Sequence, residues 1–213
     1  MGETLWFNNG QGTRYHAEIT DVSKRAVTGC ILETMHEPPC HAPRLMLGQS
    51  LLKGERMDWV IQKATELGVD EIVPIESRHS VVQLKADRVD HQLARWQRIM
   101  LEAAQQSEQW RVPTIASPRS LALLLTERGS NTTKLMLTER KVGKSLQAVD
   151  LPRDAKSSAL VLIGPEGGWS KEELDIAEQA EGLQVTLGQH ILRAETAAIA
   201  TISILQSRLG QLE

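Results

Sequence analysis

The chain is predicted to be an α/β protein with a mostly parallel sheet, preceded by a short segment made only of strands. Three observations carry that expectation. From residue 44 onward, apolar runs of strand length alternate with amphipathic stretches of helical period, the pattern of strand–helix–strand crossovers. Residues 3–34 hold β-prone runs separated by turn signals and no helical pattern. Two glycine-rich stretches stand between a strand-like run and a helix-like one, Leu162-Ile163-Gly164-Pro165-Glu166-Gly167-Gly168 and Leu187-Gly188-Gln189-His190-Ile191-Leu192-Arg193-Ala194-Glu195-Thr196. A turn that needs glycine there brings backbone close to another segment or to a ligand.

The elements follow in order. Residues 4–7, 15–19 and 26–32 read as strands, split by Asn8-Asn9-Gly10-Gln11-Gly12 and Asp21-Val22-Ser23-Lys24. So few strands cannot bury a core alone; they either pack on the rest of the chain or are the remnant of a larger β domain. Residues 37–43 contain three prolines and mark a boundary. Residues 45–52 form an apolar strand. Residues 56–67 form a helix, with Met57, Val60, Ile61, Ala64 and Leu67 on one face and Gly68 as its stop. A strand at 71–75 precedes the longest helix, 87–107, which aligns Val89, Leu93, Trp96, Met100 and Ala103. Helix is expected at 118–128, strand at 135–138 and 159–163, helix at 171–180, strand at 184–187, and a closing helix at 195–209. That last helix is apolar on two faces, which predicts burial on both sides and hence a subunit interface.

Composition narrows the function. At 213 residues, 41% apolar and 24% charged, the chain has the make-up of a soluble globular protein. No apolar run is long enough to span a bilayer and no signal-peptide pattern opens the chain, so a cytoplasmic protein without membrane association is expected. Cys30 and Cys40 are the only cysteines. With no second cluster beside His36-Glu37-Pro38-Pro39-Cys40-His41, neither a disulfide framework nor a metal site is expected. A net charge of -3 excludes indiscriminate coating of nucleic acid. Positive charge is local: Arg78, His79, Lys85, Arg88, His91, Arg95 and Arg98 form one group, and Arg140, Lys141 and Lys144 another. Each group is either a solvated surface or an RNA-facing patch. The aromatic residues are too scattered for a multi-base stacking platform. Trp59 and Trp96 are expected in the core, and Trp110 and Trp169 in loops.

The first glycine stretch runs into Ser170-Lys171-Glu172-Glu173, where Ser170 and Glu173 fit a capping box. It therefore lies between a strand end and a helix start, where open α/β sheets bind ligands. The spacing matches neither a P-loop nor a dinucleotide fingerprint. Glu166 would repel a pyrophosphate, so backbone groups are expected to meet a neutral or cationic ligand. Arg193 and Glu195 beside the second stretch are either surface and helix-start charges or groups that orient a substrate and stabilise charge.

Gly164-Pro165-Glu166-Gly167-Gly168 followed by Leu187-Gly188, Ile191-Leu192-Arg193 and Glu195-Thr196-Ala197 resembles the RNA uridine methyltransferases of the SPOUT superfamily. Lys53-Gly54-Glu55-Arg56-Met57, Gln62-Lys63-Ala64-Thr65-Glu66-Leu67-Gly68 and Glu102-Ala103-Ala104-Gln105-Gln106-Ser107, with Arg111 and Pro113, agree with it. The likeness is strongest to enzymes that methylate N3 of a uridine in 16S ribosomal RNA of the small subunit.

The resemblance implies a methyltransferase domain at 44–213 whose C-terminal part threads a trefoil knot, preceded at 1–41 by part of a PUA-like, RNA-binding β-barrel. It implies S-adenosylmethionine as cofactor and a homodimer joined through the knot region. By motif matching the cofactor residues are Leu137, Thr138, Ile163, Gly164, Glu166, Gly167, Gly168, Leu187, Gly188, Ile191, Leu192 and Thr196. Arg193 is the candidate to stabilise a uridine anion and Glu195 the candidate proton acceptor. The alternatives are a non-catalytic RNA-binding protein, a SPOUT enzyme with a different RNA target, and an α/β enzyme using another nucleotide.

Overall fold

A computed structural model describes residues 2–138 and 143–212. Arg140 and Lys141 of the second basic group lie outside the described residues. The chain opens with three antiparallel strands, β1 (Thr4–Asn8), β2 (Thr13–Val22) and β3 (Val27–His36), in that order across a small sheet. After the proline-rich crossing come β4 (Arg44–Ser50), α1 (Glu55–Glu66), β5 (Glu71–Ile75), α2 (Val89–Gln106), β6 (Thr114–Ile115) and α3 (Leu121–Thr126). The remainder is β7 (Thr132–Leu137), β8 (Lys144–Ser145), β9 (Ser158–Ile163), α4 (Lys171–Gln179), β10 (Leu183–Thr186) and α5 (Ala194–Arg208).

β4 to β10 form one sheet in the order β6-β5-β4-β9-β7-β10-β8, every pairing parallel. Its central strands are covered on both faces, which is why they read as continuous apolar runs. The period of two still decides which side chain goes where. Leu45, Leu47, Leu135, Ala159, Val161 and Ile163 point into a core shared with α1, α2 and α5. Met46, Met136, Leu160 and Leu162 point into a second core beneath α3 and α4. Gly48 is required at the centre, because a Cβ there would lie 2.8 Å from Leu162 Cδ2 and 3.0 Å from Ile75 Cδ1.

Strand and helix positions match the expectations to within a few residues, with physical reasons for the differences. β6 and β8 are two residues each and leave no periodic signature. α3 starts at Leu121 rather than 118, because the Ser120 hydroxyl caps it by accepting from Leu123 N at 3.3 Å. Residues 86–88 form a 3₁₀ turn leading into α2. On α5, Ala198, Ile202 and Leu205 are fully buried, whereas Ala200, Ile204 and Leu209 remain half-buried. Trp96 is buried as expected, but Trp59 is 43% exposed. It sits one residue past Asp58, on the solvent side of α1.

The small sheet keeps much of its apolar surface exposed, including Leu5, Trp6, Phe7, Ile31 and Met35. It joins the α/β unit through the β1–β2 turn. Gly12 N donates to Trp110 O at 3.0 Å, Val112 N to Gly10 O at 3.1 Å and Asn8 Nδ2 to Gln109 O at 3.1 Å. The Arg14 guanidinium lies 3.9 Å over the Trp110 ring, and Arg111 pairs with Glu37. Among the described residues, no helix is long and apolar enough to cross a membrane.

Candidate active site

A cavity of about 590 Å³ opens at the C-terminal ends of β9, β7 and β10. This is where parallel sheets place ligands, since the loops leaving the strands diverge there. The volume falls within the usual range for small-molecule pockets.

The first wall is the turn after β9. Gly168 N donates to Pro165 O at 3.0 Å, and Gly168 has φ +71°, in the left-handed region that glycine tolerates. Gly164 packs beneath the Trp169 ring, where a Cβ would come to 3.1 Å. The Trp169 indole N–H donates to Leu137 O at 3.0 Å and ties this turn to the end of β7. The capping box at the start of α4 is present. Ser170 Oγ accepts from Glu173 N at 3.2 Å, and Glu173 Oε2 accepts from Ser170 N at 2.8 Å.

The loop after β5 braces the outside of that turn. Arg78 N donates to Glu173 Oε1 at 3.0 Å. His79 Nδ1 lies 3.1 Å from Gly168 O, so the Nδ1–H tautomer donates to it. A Cβ at Gly167 would lie 2.9 Å from His79 Cβ. From α1, Arg56 Nη1 reaches Glu166 Oε1 at 2.6 Å. Glu172 is held below the usual carboxylate range, chiefly by its own backbone N–H and the Ser170 hydroxyl, with Arg78 and His79 adding to the effect.

The second wall is the irregular stretch between β10 and α5. Gly188 has φ +128°, which L side chains rarely adopt. Thr138 N donates to Val185 O at 2.9 Å, fixing the end of β7 beside β10. Ile191 and Leu192 are exposed, as is Arg193, whose extended backbone leads into α5 and whose carbonyl accepts from Ala197 N at 2.8 Å. The Arg193 side chain forms no ion pair among the described residues.

Twelve of the sequence-derived residues, Leu137, Thr138, Ile163, Gly164, Glu166, Gly167, Gly168, Leu187, Gly188, Ile191, Leu192 and Arg193, line this single cavity. Glu195 and Thr196 do not. Side chains advance about 100° per residue on a helix, and it is Ala194 and Ala197 that face the cavity from α5. Glu195 Oε2 is buried and has no hydrogen-bond partner among the described residues. Sequence reasoning also missed Trp169 and Leu174 as lining residues. Trp169 directly follows the glycines, and its ring turns back over Gly164.

Comparison with known proteins then decides the family. The RNA methyltransferase domain family matches residues 39–206. Ribosomal RNA small subunit methyltransferase E of Bacillus subtilis is 30% identical over 209 residues, covering 96% of this chain and 81% of the relative. The chain belongs to this RNA methyltransferase family. Solved structures agree with the assignment. The methyltransferase E of Neisseria gonorrhoeae bound to S-adenosyl methionine superposes with a TM-score of 0.87 at 32% identity, over 97% of this chain and 84% of that one. A putative methyltransferase from Legionella pneumophila in complex with S-adenosyl methionine gives a TM-score of 0.88 at 30% identity, with the same coverage. The seven-stranded α/β fold described above is thus that of SPOUT methyltransferases.

Proposed function

We propose that this family member transfers a methyl group from S-adenosylmethionine to N3 of a uridine in 16S ribosomal RNA, acting in the cytoplasm. The observation that carries the reading is that both glycine stretches wall one cavity, with Arg193, which has no ion-pair partner among the described residues, at its lining. The residues present fit the donor. Leu137, Ile163, Leu187 and Leu192 offer apolar surface for an adenine ring. Gly164, Gly167 and Gly188 have no side chain to cover their backbone groups, which can meet the polar parts. The Glu166 carboxylate suits a cationic ligand better than a phosphate.

The donor supplies an already activated methyl group on a sulfonium centre. The protein's work is therefore alignment and proton removal. A uridine splayed from its stack presents an imide nitrogen that is nucleophilic only after losing its proton. The Arg193 guanidinium, with no ion-pair partner among the described residues, stabilises the resulting anion through the neighbouring carbonyl oxygens and so eases that loss. Glu195 is not among the residues that line the cavity, and Arg193 is the stronger catalytic assignment.

We further propose a homodimer formed through a knotted C-terminal region. Exposed Ile191 and Leu192 and the half-buried Ala200 and Ile204 of α5 support it. The three-stranded sheet is proposed as a PUA-like RNA-binding element, supported by its exposed apolar surface and by the Trp6–His16 stack at 4.7 Å.

The test is methylation of purified small-subunit RNA with isotope-labelled donor, followed by mass analysis of the nucleosides. Labelled 3-methyluridine is the expected product. A label on ribose or on another base would overturn the N3 assignment, and label confined to another RNA would overturn the substrate.

A further inference from the structure

The cavity explains where a methyl group is transferred but not how a long, heavily charged RNA is held against it. The first basic group, left open by the sequence, becomes specific on the fold. His91, Arg95 and Arg98 lie on α2 within an arc of about 60° at 3.6 residues per turn, and all three are exposed. The arc is the edge of α2 that faces α1, because Arg95 pairs there with Asp58, whose other oxygen accepts from the Trp96 indole N–H at 3.2 Å. Arg88 and Lys85 extend the same run toward the loop after β5. Neither Lys85, Arg88 nor Arg98 has an ion-pair partner among the described residues. The acids nearby are Glu102 at the far end of the stripe, Asp87 before the helix and Asp90 on its other exposed edge.

Two contacts connect this face to the cavity wall. The loop that leads to Lys85 carries His79, bonded to Gly168 O. The helix that holds Asp58 carries Arg56, bonded to Glu166. Exposed Trp59 stands next to Asp58 on α1. An exposed indole on α1 beside a helix edge that carries guanidinium groups without ion-pair partners among the described residues suits single-stranded or loop RNA, which presents phosphates and unstacked bases together.

We infer that the α1–α2 edge formed by Arg88, His91, Arg98 and Trp59 is a docking surface for the RNA phosphodiester backbone, leading to the glycine turn of the cavity. This rests on the methyltransferase reading above. Phosphate contacts fix register and orientation without reading sequence, which is what a target base needs before it enters a cavity.

The experiment measures RNA affinity as a function of salt for the full chain and for Arg88→Gln/Arg98→Gln, with donor affinity and thermal melting as controls. Each lost phosphate contact should lower the slope of log K against log[salt] by about 0.7–0.9. The double variant should bind RNA roughly 25- to 60-fold more weakly near 0.1 M salt by that slope over two contacts, with donor affinity unchanged. Arg88→Lys/Arg98→Lys should restore the slope, which a purely structural role for the guanidinium groups would not predict. An unchanged affinity and slope in the glutamine variant overturns the surface. Normal binding to naked RNA with loss of methylation only on assembled subunits also overturns it, assigning the face to a ribosomal protein. If the unmodified chain neither binds donor nor methylates RNA, the methyltransferase reading fails, and the salt slope still decides the docking surface independently.

Discussion

The Trp169 indole nitrogen lies 3.0 Å from the Leu137 carbonyl oxygen, so a single hydrogen bond joins the turn after β9 to the end of β7. The first wall of the cavity is fixed by it against the end of a neighbouring strand. Trp169→Phe keeps the ring over Gly164 and removes the donor, leaving a partly buried carbonyl unpaired. A loss of about 1 kcal/mol in donor affinity is expected, read by calorimetry as roughly fivefold weaker binding.

Arg56 and Glu166 form a partly exposed pair at 2.6 Å, with side chains 38% and 30% exposed. Solvent screening limits what such a pair contributes. A double-mutant cycle of Arg56→Ala and Glu166→Ala on donor affinity should give a coupling of about 0.5–1 kcal/mol. Additive single effects would show that the pair does not position the turn.

Gly168 and Gly188 have open space where a Cβ would stand but adopt positive φ, whereas Gly167 meets the Cβ of His79. Alanine at 168 or 188 should therefore cost backbone strain alone, on the order of 1–2 kcal/mol, and weaken donor binding without loss of fold. Gly167→Ala instead pushes the 76–80 loop outward. Hydrogen exchange at Arg78, whose N–H is bonded to Glu173, should accelerate in that variant and remain slow in Gly188→Ala.

Arg193→Ala should lower kcat by about 10²–10³ while leaving donor affinity within a few-fold, the pattern for a group that acts on developing charge. Arg193→Lys should recover only part of that loss, because the planar fork is gone. Single-turnover methylation of small-subunit RNA provides the measurement.

Glu172 offers a pH prediction. Its carboxyl is lowered in the folded state, first by its own backbone N–H and then by the Ser170 hydroxyl. A lowered carboxyl contributes stability above the ordinary glutamate value of 4.5, and that contribution is lost as pH falls through the folded value. Wild type should be more stable than Glu172→Gln at neutral pH, and the two should converge on acidification. Parallel melting curves across the whole range would contradict it.

Much of this was legible in the residues. The Ser170–Glu173 box, the Gly68 stop and the alternation of strands with helices were readable because each rests on local chemistry. The two glycine turns could be assigned to one site because both follow strands of one parallel sheet. What escaped depends on rotation and on distant partners. Glu195 and Thr196 sit in the same motif but do not line the cavity, where Ala194 and Ala197 stand instead. Trp59 lies near the apolar face of α1 in the periodicity and reads as core, yet its position on the outer side of the helix leaves it exposed. His79 and Arg56 reach the glycine turn from other elements, and no spacing within the chain announces such contacts.

β9 lies between β4 and β7 and hydrogen-bonds to both, although it is made after them. A nascent chain that has not yet emerged past residue 163 therefore holds two strands waiting for a common neighbour, with the middle of the sheet open. During synthesis those unsatisfied edges are sticky. Closure of the sheet is thus gated by its own topology: synthesis must pass residue 163 before the central strand can enter between its two neighbours.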